Sequence, residues 1–322
     1  MAKMKVLVTG GLGLIGHNVV GYLTSLGHDV VVVDNLTNYG VIPQKELDYL
    51  IQQRRAKFPL SVHCYHDDIA NAAAVNHIIA DEQPDIVIHM ASFPRQKVVN
   101  ANPGMGARVM IEGLINLLES SKKHQVKRFV YISSSMVYGD FRDDVREDAV
   151  CRPQGQYGIM KLAGEALVKD YQRRGCFDYT IIRPSAVYGP LDVEDRVISR
   201  FMMQALRGGW LNVNGATETL DFTYVDDAAK GIAQASLVDQ TKNRTYNITK
   251  SHSVTLLQAA EMIVSIVGQG SVRVGDRDLD FPSRGALNID AAREDFGYDP
   301  QVDVAEGFLS YYNWLTTSTH WQ

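Results

Sequence analysis

Thr9-Gly10-Gly11-Leu12-Gly13-Leu14-Ile15-Gly16 is the stretch that decides how this chain folds. It joins an apolar run of strand length, Lys5–Thr9, to a segment, Leu14–Leu26, whose apolar residues recur at helical spacing until Gly27 stops it. Gly10, Gly13 and Gly16 satisfy G-x-x-G-x-x-G, and Gly11, Gly13 and Gly16 satisfy G-x-G-x-x-G. Glycines at these positions allow a tight turn, a close backbone approach to a pyrophosphate, and a helix seated directly on its strand. The N–H groups of the first helical turn, at Leu14, Ile15 and Gly16, then face the anion.

Working outward, Val30–Val33 is a second strand, wholly β-branched and so suited to a sheet covered on both faces. Asp34 closes it, 18 residues after Gly16 and near the spacing of about 20 at which an acidic residue receives the ribose hydroxyls. A carboxylate there repels a 2′-phosphate, and the next residues, Asn35-Leu36-Thr37-Asn38, include no arginine, so NAD is favoured over NADP. Ile86–His89, Arg128–Ser133 and Tyr179–Arg183 repeat the strand signature, while Ala107–Lys123 and Tyr157–Arg173 repeat the helical one. Such alternation predicts an α/β fold: a Rossmann-type, doubly wound parallel sheet built from right-handed βαβ units. Gln44–Lys57 reads as an extra helix, a solvated surface insertion that could also cover the adenosine end of the cofactor.

After Gly189-Pro190 the pattern changes. Asp192–Asp195 is acidic and loop-like, Val197–Leu206 is helical, and short strands are expected at Trp210–Asn214, Thr245–Ile248 and Ser271–Val274. The expected organisation is an NAD-binding domain over residues 1–185, to which later segments return, and a smaller α/β substrate lobe over 186–322. The lobe would close a cleft over the carboxyl ends of the strands.

Composition narrows the function classes. The 322 residues are 45% hydrophobic and 21% charged, with a net charge of −5, which argues against a nucleic-acid binder. No apolar run approaches the roughly 20 residues of a membrane span, and the glycine turn interrupts the N-terminal apolar stretch too early for a signal peptide. Cys64, Cys151 and Cys176 are dispersed, without zinc spacing, and suit a reducing cytoplasm. No metal site is expected; His63 and His66 beside Cys64 read as surface residues, and His89 as a hydrogen-bonded structural residue.

Tyr157 and Lys161 are four apart in a helical pattern and share a face. A phenol is a poor base at neutral pH, but a neighbouring ammonium favours the phenolate, and the same amine could hold the nicotinamide ribose. Ser133-Ser134-Ser135 closes a strand, so its hydroxyls should emerge at the carboxyl end of the sheet, where the nicotinamide would point.

Glycine turn, strand-end serine and Tyr-x-x-x-Lys together resemble the extended short-chain dehydrogenase/reductases, in particular the NAD-dependent epimerase/dehydratase group. The resemblance extends through Asp34-Asn35-Leu36, Asp68-Ile69, His89–Ser92, Ser133–Gly139, Arg183–Pro190, Asp221–Asp227 and Arg284-Gly285. It implies that Asp68 and Ile69 contact adenine, that Asn35, Asn38, Met90, Ala91 and Ser92 line the cofactor, and that Pro184 and Val187 pack near the nicotinamide. It places the catalytic serine at Ser134, with Tyr157 as base and Lys161 beside it. Ser135, Met136, Arg196, Arg200 and Arg284 are the implied substrate contacts. The implied reaction is C4 epimerisation of a UDP- or GDP-linked sugar through a transient 4-keto sugar; net hydride transfer by a dehydrogenase or 4-keto-sugar reductase is the alternative. A homodimer is implied, pairing the Ala107–Lys123 and Tyr157–Arg173 helices.

The pattern also departs from the group. Ser135 and Met136 stand where dehydratases carry an Asp-Glu pair, and methionine carries no proton, which disfavours 4,6-dehydration. Met110 and Ala186 replace expected asparagines, and Leu220 replaces an arginine near the diphosphate. Asp226-Asp227 is expected to cap a helix starting at Ala228.

Overall fold

A computed structural model describes residues 2–93, 95–192 and 196–318 of the chain. Its centre is a seven-stranded sheet. Six strands come from the first part of the chain: β1 Lys5–Thr9, β2 Asp29–Val33, β3 His63–Tyr65, β4 Ile86–His89, β5 Arg128–Ile132 and β6 Asp178–Pro184. The spatial order is β3-β2-β1-β4-β5-β6, and every pairing is parallel. The strand Arg244–Ile248, which the sequence suggested for the smaller lobe, instead extends this sheet parallel to β6. Its apolar residues Tyr246 and Ile248 are buried in the same core as β1 and β2.

Strand side chains alternate between faces, and the two cores divide accordingly. Val6, Val8, Val30 and Val32 pack against Val19, Val20 and Leu23 of α1 (Leu14–Ser25) and against Ile232 and Ala233 of the helix Val225–Leu237. Leu7, Val87 and Phe129 pack against Leu114, Leu117, Leu118 and Val168 on the opposite face. The Val225–Leu237 helix begins three residues earlier than Ala228, so Asp226 and Asp227 lie in its first turn rather than capping it. Asp227 Oδ2 instead accepts the Val302 N–H at 2.8 Å.

The smaller lobe has its own core, with Phe201, Met202, Leu211, Val213, Phe222, Ile263, Phe308 and Tyr311 buried together. Trp210–Asn214 pairs parallel with Ser271–Gly275, and Thr219–Asp221 pairs antiparallel with Ser253–Thr255. Of the acidic loop only Asp192 is described; residues 193–195 lie outside the described residues. α2 (Gln44–Arg55) is more than a solvated insertion, because Leu47, Leu50 and Arg54 are buried on one of its faces. The expected Ala107–Lys123 helix is interrupted by a π-helical turn at Arg108–Glu112 before Gly113–Lys123 continues it.

Candidate active site

The carboxyl ends of β1, β2, β4, β5 and β6 open into one cavity of about 610 Å3, walled on the far side by the smaller lobe. The glycine turn forms its floor. Gly10 has a φ of +70°, and a Cβ there would lie 2.7 Å from the Ala91 nitrogen. A Cβ on Gly16 would fall on the Gly10 carbonyl oxygen. Side chains are therefore excluded where a dinucleotide needs bare backbone. The first-turn amides of Leu14, Ile15 and Gly16 have no intrahelical acceptor by helix geometry and stand at this floor. These features fit a bound pyrophosphate.

Asp34 sits at the end of β2, its Oδ2 accepting the Leu12 N–H at 2.9 Å and its Oδ1 the Leu36 N–H at 3.0 Å. Burial pushes its pKa up, while those amides and the Arg54 guanidinium oppose the shift. Each oxygen retains a second acceptor direction. Asn35, Asn38, Ile69, Met90, Ala91, Ser92, Pro184 and Val187 all line the cavity, as does Asp67 in place of the expected Asp68. The carboxylate of Asp68 is turned into its own loop, where Oδ1 accepts the Ala70 N–H at 2.9 Å.

Farther along the same carboxyl edge of the sheet, beyond β5, Ser134, Tyr157 and Lys161 meet. Ser134 follows β5 in an extended conformation, and its Oγ accepts the Met136 N–H at 3.2 Å. Tyr157 and Lys161 project from the helix Gly155–Arg173. Burial pushes the Tyr157 phenol up, and the Arg196 guanidinium and the Ser134 hydroxyl pull it down. The charge acting directly on the phenol here is thus Arg196. Lys161 Nζ lies 5.8 Å from the Tyr157 ring centre and donates to the Ile132 carbonyl at 2.7 Å. Burial pulls the Lys161 ammonium down to about 7, with Glu165 opposing the shift.

The substrate side is mixed. Met136, Arg196, Arg200 and Arg284 line the cavity, whereas Ser135 does not. The 3₁₀ turn Ser135–Val137 carries the Ser135 hydroxyl into the interior, where it donates to Ser185 Oγ at 3.2 Å. Arg196 reaches Asp192 at 3.4 Å and lies at the mouth of the helix Val197–Leu206. Arg284 is different: among the described residues no carboxylate lies within ion-pair distance of it, its Nη1 meets only the Met136 sulfur at 3.5 Å, and its buried Nε has no hydrogen-bond partner. Burial pulls its pKa down to about 10, with the Glu218 carboxylate opposing the shift from beyond ion-pair distance. A buried cation without a close counter-ion is costly unless an anion joins it. Met110 is core filler at 2% exposure, while Ala186 and Leu220 present apolar groups to the cavity.

Other residues of note fall outside the site. His89 Nδ1 shares a 2.8 Å hydrogen bond with Thr9 Oγ1 inside the sheet, and burial pulls its pKa down to about 3, as expected of a structural histidine. His63 is exposed beside Glu82. Among the described residues no group of three His, Cys, Asp or Glu could hold a metal ion, and no helix is long and apolar enough to cross a membrane.

Sequence reasoning missed Arg54 and a strap in the cavity lining. Arg54 is 1% exposed and donates to the carbonyls of Leu12 at 3.0 Å and Leu191 at 2.7 Å, tying α2 to the glycine turn and to the far lobe. Its signal was present: Arg54 continues the Leu47, Leu50 spacing of the apolar face. The strap joins Lys97 to Asp278 at 2.6 Å and sets Lys97 over the Phe281 ring at 5.5 Å. Those residues are far apart in sequence, and nothing local announces their meeting.

A doubly wound parallel sheet with a bare-backbone first crossover and an acidic residue after β2 defines a dinucleotide-binding α/β protein. The chain belongs to the NAD-dependent epimerase/dehydratase family, whose sequence profile matches residues 6–249. NAD is accordingly its cofactor, and the family is one of enzymes. An uncharacterised UDP-glucose epimerase of Bacillus subtilis, YtcB, is 28% identical over 322 residues, covering 98% of each chain. The dTDP-glucose 4,6-dehydratase of Escherichia coli is 26% identical over 353 residues, covering 99% of this chain and 95% of that one. Among solved structures, the UDP-glucuronic acid 4-epimerase of Bacillus cereus, in complex with UDP-glucuronic acid and NAD, superposes with a TM-score of 0.89 at 27% identity, covering 97% and 99%.

Proposed function

We propose that the protein is a nucleotide-sugar 4-epimerase acting on a UDP-linked hexose or hexuronate, with Tyr157 as base, Ser134 and Lys161 beside it, and Arg284 as the diphosphate anchor. The observation that carries this reading is the buried Arg284 guanidinium, with no carboxylate within ion-pair distance among the described residues and its Nε without a hydrogen-bond partner, in the same cavity as the Tyr157 phenol. Arginine bonds phosphate oxygens bidentately, and a diphosphate would supply the missing counter-charge. The names of the similar B. subtilis and B. cereus proteins support the substrate class.

In this reading the glycine turn, Asp34 and the cavity lining hold the dinucleotide. Lys161, fixed on the Ile132 carbonyl, orients its ribose. Tyr157 takes the proton from the sugar C4 hydroxyl while Ser134 Oγ holds that hydroxyl in line. NAD held there would supply the acceptor, and then the donor, of the C4 hydride. The sugar turns over between the two transfers, and Tyr157 gives the proton back. Elimination of water is disfavoured because Met136, packed against Arg284, replaces an acid after Ser134.

The reading is tested by incubating the purified protein with UDP-glucose and UDP-glucuronate without added NAD and following the sugars by NMR. Formation of the C4 epimer without NADH absorbance is expected. Stoichiometric NADH would favour the dehydrogenase alternative, for which the apolar Ala186 and Leu220 beside the substrate speak. Arg284→Met should raise KM about 100-fold while changing kcat little, since an anchor bound equally in ground and transition states acts on KM; a lowered kcat at unchanged KM would contradict the assignment.

A homodimer through the Gly113–Lys123 and Gly155–Arg173 helices is part of the same proposal. Ile115 and Ile159 are 37% and 52% exposed on those two helices. Light scattering should give twice the chain mass, and Ile159→Arg should give the single chain mass. An Ile159→Arg dimer would show that another surface is used.

A further inference from the structure

Behind the reaction centre lies a buried ion pair that the chemistry above does not use. Arg183 on β6 grips Glu165 on the Gly155–Arg173 helix with Nε to Oε1 at 2.9 Å and Nη2 to Oε2 at 2.7 Å. Their side chains are 4% and 1% exposed. Burying such a pair gives little net stability, because desolvation of both ions offsets their attraction, and apolar residues of the same size often serve as well. Its position suggests another purpose.

Glu165 is four residues after Lys161 and eight after Tyr157, so the three stack on one helix face. Glu165 Oε1 also accepts the Ser133 hydroxyl at 2.6 Å. Ser133 lies between Ile132, whose carbonyl takes the Lys161 ammonium, and Ser134, whose hydroxyl lies beside Tyr157. One carboxylate therefore fixes the strand end that carries two parts of the site and sits one helical turn from the third. Arg183 is in turn held by Tyr138 Oη at 2.9 Å and the Glu147 carbonyl at 3.0 Å, so the clamp is rigid.

We propose that Glu165, clamped by Arg183, is a positioning residue for the reaction centre: its carboxylate holds the β5 end through Ser133 and sets a negative charge one helical turn from Lys161. The inference rests on the Tyr157–Lys161 centre proposed above. Apart from Tyr157, the base itself, the other groups facing Lys161 supply no negative charge near neutral pH. His89 on β4 is buried and neutral, and Tyr131 on β5, its ring centre 5.3 Å from Nζ, has its phenol pushed well above its ordinary range by burial. Tyr157 on the same helix is likewise pushed up. Among the described residues Glu165 is the charge that opposes the burial of Lys161. The sign follows: removing a neighbouring negative charge favours the neutral amine.

The test reads the amine directly and needs no sugar, so it stands even if the epimerase reading fails. The full chain is labelled with 13C-lysine, the Lys161 Cε resonance is assigned by its loss in Lys161→Met, and its titration is followed. The wild-type midpoint should lie at about 7. Glu165→Gln should lower it by at least about one pH unit, a tenfold change in the ammonium-to-amine ratio, whereas Glu165→Asp should keep the wild-type midpoint. If Glu165→Gln does not fold because Arg183 is left uncompensated, the double variant Glu165→Met/Arg183→Met removes both charges and should show a smaller fall in the same direction, since Glu165 lies nearer Lys161 on its own helix. A wild-type midpoint in the folded Gln or double-Met variant would overturn the proposal, as would an equal fall in Glu165→Asp.

Discussion

Replacing Tyr157 with Phe is expected to lower kcat by at least about 1,000-fold, within the range that general acid–base groups contribute, while NAD affinity stays within about twofold. The argument is one of atoms. Tyr157 packs its ring against the core beneath the helix Gly155–Arg173, and phenylalanine keeps that packing. Only the hydroxyl is lost, and with it the atom that Ser134 and Arg196 bias toward the phenolate. No other described group is placed to take its part: Lys161 is committed to the Ile132 carbonyl, and Tyr131 is sealed inside the sheet. Ser134→Ala should cost less, because it removes an orienting partner and leaves the base. Steady-state kinetics with the turned-over UDP-sugar, beside NAD titration of each variant, checks both. Substantial turnover by Tyr157→Phe would mean that another group moves the proton.

Gly16→Ala should have the second large effect, a loss of NAD affinity of about 100-fold or more, equivalent to nearly 3 kcal/mol. The added methyl would fall on the Gly10 carbonyl oxygen and lie 2.9 Å from the Gly11 Cα. Both obstacles are backbone, so no side chain can rotate away, and α1 must move off β1. That movement withdraws the first-turn amides from the pyrophosphate. The control is on the same helix: a Cβ on Gly21 meets nothing within 4 Å. Gly21→Ala should therefore bind NAD normally and raise stability by up to about 1 kcal/mol from helix propensity. Calorimetric titration of both variants separates the clash from any general effect of alanine in α1. Equal affinities for NAD would remove the glycine turn from the binding site.

The sequence carried the cofactor half of this protein further than the substrate half, for physical reasons. The glycine turn, the β-branched β2 and Asp34 are local signals, each dictated by backbone conformation or by a neighbour close in sequence, and the structure places them at one cavity floor. Tyr157 and Lys161 were legible through helical spacing. Where side-chain direction depended on a short irregular turn, legibility failed. Ser135 and Asp68 are next to cavity residues, yet a 3₁₀ turn and a tight loop point their polar groups elsewhere. The strand Arg244–Ile248 could not be assigned to the large sheet, because a five-residue apolar strand does not name its partner. Arg54 stood at readable spacing from Leu47 and Leu50 although α2 is polar in composition, whereas the Lys97–Asp278 strap was hidden by sequence distance. The Glu165–Arg183 clamp combines both cases: one member is at readable spacing from Lys161, and the other meets it only through the fold.

The central claim is that one cavity takes a hydride from C4 of a nucleotide sugar and returns it to the same carbon. The most direct measurement uses UDP-glucose or UDP-glucuronate deuterated at C4, incubated with the purified protein in ordinary water and examined by NMR and mass spectrometry. The account predicts a C4 epimer that retains the deuterium, with no NADH accumulating. An epimer that has exchanged its deuterium for solvent hydrogen, or conversion of the sugar with matching growth of NADH, would contradict it.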